Sequence, residues 1–205
     1  MIAIIDYGVG NLFSLTSSFR AIGAEVTVTG DPDLIRGADK IVLPGVGAFG
    51  DAAKLLQQSG LADVIVEQTR SGKPLLGICL GMQLLLERSF EYGEHKGLGL
   101  IPGDVVPISS VVPTDYKVPH IGWNGLHFPK NQPASPLFRY VKEGDFVYFV
   151  HSYFASNCEE SIVATTEYGA ELTAAVSCGN VYGTQFHPEK SGNVGLNILR
   201  AFCEL

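Results

Sequence analysis

In its first 87 residues the chain runs three times through one order: a short apolar run, a glycine-bearing turn and a segment of helical periodicity. Ile2–Ile5 ends in Asp6-Tyr7-Gly8-Val9-Gly10-Asn11, and Leu12, Leu15, Phe19 and Ile22 follow at helical spacing. After a β-branched segment at Val26–Thr29, Ile41–Leu43 stops at Pro44-Gly45-Val46-Gly47, and a helical stretch covers Asp51 to Arg70. Leu75-Leu76-Gly77-Ile78 then meets Cys79 and passes directly into a helical segment, Leu80–Glu87. Strands separated by helices have no hairpin partners; they align in parallel and need helices over both faces to bury them.

Beyond about Gly97 the pattern changes. Short β-like pieces at Val105–Ile108, Gly122–Phe128, Phe146–Phe154, Ser161–Thr166 and Thr173–Val176 are separated by Pro and Gly and read as mixed or antiparallel strands. A last strand, Val181–Phe186, runs into His187-Pro188-Glu189, and an amphipathic helix around Val194–Phe202 closes the chain. The expected fold is therefore α/β: a flavodoxin-like open, mainly parallel sheet with helices on both faces and an added antiparallel β segment in the second half. With 205 residues, no internal repeat and no linker, the chain is expected to form a single domain over 1–205.

Composition narrows the function classes. Hydrophobic residues at 46% against 17% charged suffice for a packed core. A net charge of -7 with no basic run argues against a nucleic-acid surface. The start lacks the pattern of a signal peptide, and no apolar run approaches the ~18 residues of a membrane span, so a cytoplasmic protein is expected. Cys79, Cys158, Cys178 and Cys203 show no CxxC spacing, and His95, His120 and His127 have no companion at ligand spacing; no metal and no cofactor are expected. Cys158, Cys178 and Cys203 read as small buried hydrophobes, and His151, in an apolar strand, as a satisfied core histidine.

Cys79 is different. Gly77-Ile78-Cys79-Leu80-Gly81 has the form of a nucleophile elbow, a sharp strand-to-helix turn in which residues two positions either side of the nucleophile must be small. The sulfur would stand at a helix start, where dipole and unpaired amides favour the thiolate. The Leu80 amide would be ready to donate to an oxyanion. His187, at a strand end with Glu189 two residues on, supplies a proton carrier and an orienting carboxylate. Pro44–Gly47 also follows a strand; a second oxyanion donor from Val46 or Gly47 and an ordinary loop are both open readings.

Taken together, Gly77-Ile78-Cys79-Leu80-Gly81-Met82-Gln83 and His187-Pro188-Glu189 resemble the class I, or triad, glutamine amidotransferases. Asp6–Asn11, Leu43–Gly47, Gly122-Trp123-Asn124, His151-Ser152-Tyr153-Phe154 and Lys190-Ser191-Gly192 are similar to the branch whose glutaminase serves a (β/α)8-barrel cyclase acting on a ribulosyl phosphate. The resemblance implies Cys79 as nucleophile, His187 as general base and acid, and Glu189 as the orienting carboxylate, with L-glutamine hydrolysed through a thioester. It implies glutamine contacts from Gly45, Gln83, Ser152 and Tyr153, and a Pro44–Gly47 peptide that reorients to complete the oxyanion hole. It also implies a heterodimer in which Asn11, Trp123 and Lys190 face the cyclase, with no nucleic acid or membrane involved. Phe13 departs from the polar or basic residue common there, and Asn11 reads equally well as a helix cap.

Three other readings compete: a glutaminase serving anthranilate, aminodeoxychorismate or pyridoxal phosphate synthesis; a non-catalytic flavodoxin-like binding module; and a stand-alone cysteine hydrolase with the same triad.

Overall fold

A computed structural model describes all residues, 1–205. The first half contains β1 (Ile2–Ile5), α1 (Leu12–Ala21), β2 (Val26–Thr29), α2 (Pro32–Gly37), β3 (Lys40–Leu43), α3 (Phe49–Gln58), α4 (Leu61–Arg70), β4 (Leu75–Ile78) and α5 (Leu80–Leu84). The second half adds β5 (Arg88–Ser89), β6 (His95–Lys96), β7 (Asp104–Pro107), β8 (His120–Gly125), β9 (Phe146–His151), β10 (Tyr153–Ser156), β11 (Ile162–Glu167), β12 (Glu171–Cys178), β13 (Val181–Thr184) and α6 (Gly192–Cys203). No helix is long and apolar enough to cross a membrane.

The main sheet has the order β11-β12-β13-β4-β3-β1-β2. Its strands from β13 to β2 are parallel, and β12 and β11 add an antiparallel edge. Alternate residues of the parallel strands feed two separate cores. Ala3, Ile5, Ile41, Leu43 and Leu75 pack with α2, α3, α4 and α5, while Ile2, Ile4, Val42, Leu76 and Ile78 pack with Leu15 and Phe19 of α1 and Ile198, Leu199 and Phe202 of α6. Each fully buried side chain of this size contributes about 1.5–3 kcal/mol, so the double-sided burial is what holds the strands in place. β10-β7-β5-β6 form a second sheet and β8-β9 a hairpin.

Several expectations need correction. The single helix over Asp51–Arg70 is two, broken at Ser59-Gly60, where Gly60 adopts φ +74°. The helix expected to reach Glu87 stops at Leu84, because the returning chain takes its next carbonyls: Leu98 N donates to Leu84 O at 2.8 Å, Leu100 N to Leu85 O at 2.9 Å and Gly99 N to Leu86 O at 3.0 Å. The run Phe146–Phe154 divides at Ser152, β9 pairing with β8 and β10 with β7. α2, capped by Asp31, and the two-residue strands β5 and β6 were not anticipated. Cys178 is exposed at the β12–β13 turn, whereas Cys158 is buried, which pushes its thiol up to about 11, and Cys203 is half-buried.

Candidate active site

The chain turns from β4 into α5 at Cys79, whose backbone sits at φ 54° and ψ -111°. A non-glycine residue there stores on the order of 1–3 kcal/mol of strain, held by its surroundings. Cys79 N donates to Thr184 O at 2.7 Å, fastening the turn to β13, and Gln83 N donates back to Cys79 O at 3.2 Å. A methyl group on Gly81 would lie 1.9 Å from Leu43 O, and one on Gly77 would lie 2.7 Å from Gly81 O. Main chain therefore rests on main chain across the elbow. The Cys79 sulfur receives Gln185 Nε2 at 3.7 Å.

His187 follows β13, parallel neighbour of β4, so the topology brings both strand ends to one edge of the sheet. His187 Nδ1 and Glu189 Oε1 are 2.7 Å apart, with both side chains only 3% exposed. Ser191 Oγ donates to His187 O at 2.6 Å and accepts from Tyr148 N at 3.0 Å, while His187 N donates to Tyr148 O at 3.0 Å. Burial alone would depress the imidazole; Cys79 and Glu189 beside it outweigh that and raise it to about 9. Glu189 Oε2 is buried without a partner.

A cavity of about 390 Å³ opens at this edge and is lined by Cys79 and His187 together with Val46, Gly47, Leu80, Gln83, Ser152, Tyr153 and Lys190. Glu189 stands behind His187. Gly45 does not line the cavity: it is buried, and a methyl there would meet Gly81 N at 2.9 Å. Between Pro44 O, which accepts from the Tyr7 hydroxyl at 2.9 Å, and Ala48 O, which starts α3, no peptide of Gly45–Gly47 makes an intramolecular hydrogen bond. Gly47 adopts φ +96° with open space where a Cβ would stand. Gln83 is buried, and its Nε2 donates to Tyr153 O at 3.1 Å and Gln185 Oε1 at 3.0 Å.

Of the residues expected at a partner surface, Lys190 also lines the cavity, whereas Asn11 and Trp123 do not. Asn11 caps α1, its Oδ1 accepting from Ser14 N at 3.4 Å. Trp123 is 52% exposed and meets the Tyr148 ring edge-on at 6.0 Å, while Lys190 Nζ sits 5.8 Å from the centre of that ring. Phe13 is 83% exposed.

The sequence reading missed Glu91 and His151 as walls of the cavity, and Gln185, which does not line the cavity but lies beside the sulfur. Glu91 Oε2 accepts from Phe49 N at 2.5 Å, tying the cavity's one carboxylate to the start of α3. It lies in a turn with no periodic signal. Gln185 could have been found from its place two residues before His187, at a strand end facing the elbow.

A strained thiol with an imidazole and carboxylate behind it can attack a carbonyl, hold an acyl group and shuttle one proton. The family model described as glutamine amidotransferase class-I matches residues 3–204. The chain is 50% identical over 205 residues to imidazole glycerol phosphate synthase subunit HisH of Methanothermobacter thermautotrophicus, covering 100% of this chain and 98% of that protein. The HisH proteins of Geobacter sulfurreducens and Wolinella succinogenes are 49% and 44% identical, again across this whole chain and 98% and 100% of their own lengths. Among solved structures, a glutamine amidotransferase superposes with a TM-score of 0.76 at 18% identity, over 100% of this chain and 98% of its own. The structure of PurLQS from Thermotoga maritima gives 0.76 at 21%, over 99% and 97%; both speak to fold alone.

Proposed function

Because this chain belongs to the class-I glutamine amidotransferase family, we propose that it is the glutaminase subunit of an imidazole glycerol phosphate synthase, hydrolysing L-glutamine and delivering ammonia to a cyclase subunit in histidine biosynthesis. The observation that carries the chemistry is the meeting, in one cavity, of Cys79 on a strained turn with an imidazole raised by its two neighbours. Kinship of 44–50% over the full length carries the choice of acceptor.

The thiolate of Cys79 attacks the carboxamide carbon of glutamine, and the carbonyl electrons move onto oxygen. The Leu80 amide, free at the first turn of α5, donates to that oxyanion. Val46 or Gly47 supplies the second donor once the unbonded Gly45–Gly47 segment turns toward the cavity. His187 passes its proton to the departing ammonia, leaving a glutamyl thioester. It then draws a proton from water, which attacks the thioester to release glutamate. Glu189 holds the imidazole by Nδ1 throughout. Glu91 is placed to receive the substrate ammonium, and Gln83, Ser152 and Tyr153 form the facing wall.

The partner is a (β/α)8-barrel cyclase, joined as a cytoplasmic heterodimer through the face bearing Asn11, Trp123 and Lys190. Ammonia and a ribulosyl phosphate react there to give imidazole glycerol phosphate and aminoimidazole carboxamide ribotide. The test is glutamine hydrolysis with and without the cyclase and its ligand. A poor glutaminase alone that rises sharply in the liganded complex is expected; full activity alone would sink the gated oxyanion hole, and no stimulation would sink the partner.

A further inference from the structure

Beside the cleft, two histidines form a chain of hydrogen bonds that neutral rings cannot complete. His151 Nδ1 lies 2.9 Å from Tyr153 O, His151 Nε2 lies 3.0 Å from His120 Nδ1, His120 Nε2 lies 2.8 Å from Asn124 Oδ1, and Asn124 Nδ2 donates to Glu167 O at 2.9 Å. Both ends of the chain are carbonyl oxygens, which only accept. If His151 donates to Tyr153 O, its Nε2 must accept from His120, whose own Nε2 is then bare and faces the Asn124 oxygen. Turning the Asn124 amide over satisfies His120 but presses the amide oxygen against Glu167 O. If instead His120 donates to Asn124, His151 must donate to His120, and its bare Nδ1 faces Tyr153 O. With both rings in their observed orientation, every neutral arrangement leaves one pair of acceptors at 2.8–3.0 Å. One additional proton completes all four contacts.

We propose that His120 is an imidazolium at neutral pH, with His151 its neutral partner, and that this proton holds the Ser152–Tyr153 wall of the cleft in position. A second observation assigns the charge to His120: its ring is stacked between Tyr168, at 4.0 Å and 21°, and Phe149, at 5.0 Å and 21°, two π-faces that attract a cation. The wall matters because Tyr153 O also accepts from Gln83 Nε2, and Ser152 O from Ile108 N at 2.9 Å, so the peptide is pinned from three sides.

The groups facing the pair set the balance. Burial opposes charge on both rings and lowers both below the ordinary imidazole value. It pushes His151 down to about 3, with His187 acting in the same direction, which keeps that ring neutral. On His120 the bond to Asn124 works against the lowering, and the contacts above are what call for the proton there. Tyr168 uses its hydroxyl on Lys117 O, Tyr153 presents only its carbonyl, and the Glu167 carboxylate is occupied by Gly169 N. No carboxylate bonds to either ring. The charge rests on hydrogen bonds and aromatic faces.

The proton is independent of the glutaminase reading; its effect on glutamine rests on it. Ring-nitrogen NMR of the histidine-labelled full chain at pH 7 should show both His120 nitrogens protonated and His151 Nε2 bare. A bare nitrogen on His120 would overturn the proposal. In Asn124→Leu, which removes the acceptor that demands the extra proton, His120 should titrate more than tenfold more readily, by over one pH unit, with the fold intact by circular dichroism; an unmoved titration would also overturn it. In the cyclase complex, KM for glutamine should rise with little change in kcat as His120 deprotonates. A constant KM through that titration would remove the positioning role, whereas absent glutaminase at every pH would count against the proposed function and leave the proton standing.

Discussion

The carboxamides of Gln83 and Gln185 meet at 3.0 Å, and the amide of Gln185 reaches on to Cys79 Sγ at 3.7 Å. A buried side chain from the end of β13 thus gives a donor to the sulfur on the β4 turn. Hydrogen bonds to a charged group contribute about 1.5–3 kcal/mol, so Gln185→Leu should slow modification of Cys79 by a glutamine analogue about 10–100-fold. An unchanged labelling rate in a folded variant would show that the donor plays no part in holding the thiolate.

Labelling should also be selective. A chloroketone analogue of glutamine should modify Cys79 alone, while a small generic thiol reagent should reach Cys178, the exposed thiol, and spare buried Cys158. Peptide mapping after each treatment separates the two; analogue on Cys178 with activity retained would defeat Cys79 as nucleophile.

The three proposed catalytic residues do different work. Cys79→Ala removes the bond-forming atom and should leave only background turnover, and His187→Ala should be nearly as damaging. Glu189→Gln should keep measurable turnover and glutamine binding. Losses should not add, so Cys79→Ala/Glu189→Gln should match Cys79→Ala. Ammonium supplied from solution should still support the cyclase reaction in all of them; loss of that reaction in an intact Cys79→Ala complex would mean that ammonia production is not a separate site.

The value of about 9 for His187 predicts a pH dependence of stability. The folded value lies above the unfolded reference of about 6.5, so protonation favours the folded state. That contribution, on the order of 3 kcal/mol at most, is complete below about pH 6.5 and is lost as pH rises through about 9. Urea denaturation should show wild type more stable than His187→Gln by a margin that shrinks between pH 6 and pH 9.5. A constant margin would contradict the raised value.

Gly47→Ala should disturb conformation without crowding, since nothing occupies the Cβ position yet φ is +96°. The expected result is a kcat for glutamine changed severalfold in the complex with Tm within a few degrees of wild type. A pure loss of Tm with unaltered kcat would show the loop to be structural only.

Much of this was legible in the sequence because its physics is local. Gly77, Cys79 and Gly81 announce an elbow by spacing, and apolar runs between helical segments dictate a parallel sheet. What escaped depends on long-range encounters. Nothing near Ser152 announces that β9 and β10 belong to different sheets, because both halves of Phe146–Phe154 have the same apolar alternation. Glu91 sits in a turn without periodicity and becomes a cavity residue only when the chain folds back over α3. The early end of α5 at Leu84 likewise depends on amides supplied more than a dozen residues later.

The contact of Gly81 with Leu43 O acts as a ruler. The gap between the loop after β3 and the turn after β4 is measured in backbone atoms, so exchanging the apolar side chains around it leaves the span unaltered. Divergent relatives can thus repack both cores, or reshape the surface that meets a different acceptor, while the two turns that carry the candidate oxyanion donors keep their separation. Even one added methyl at position 81 would stretch that span, and the variant Gly81→Ala marks the point at which such drift must stop.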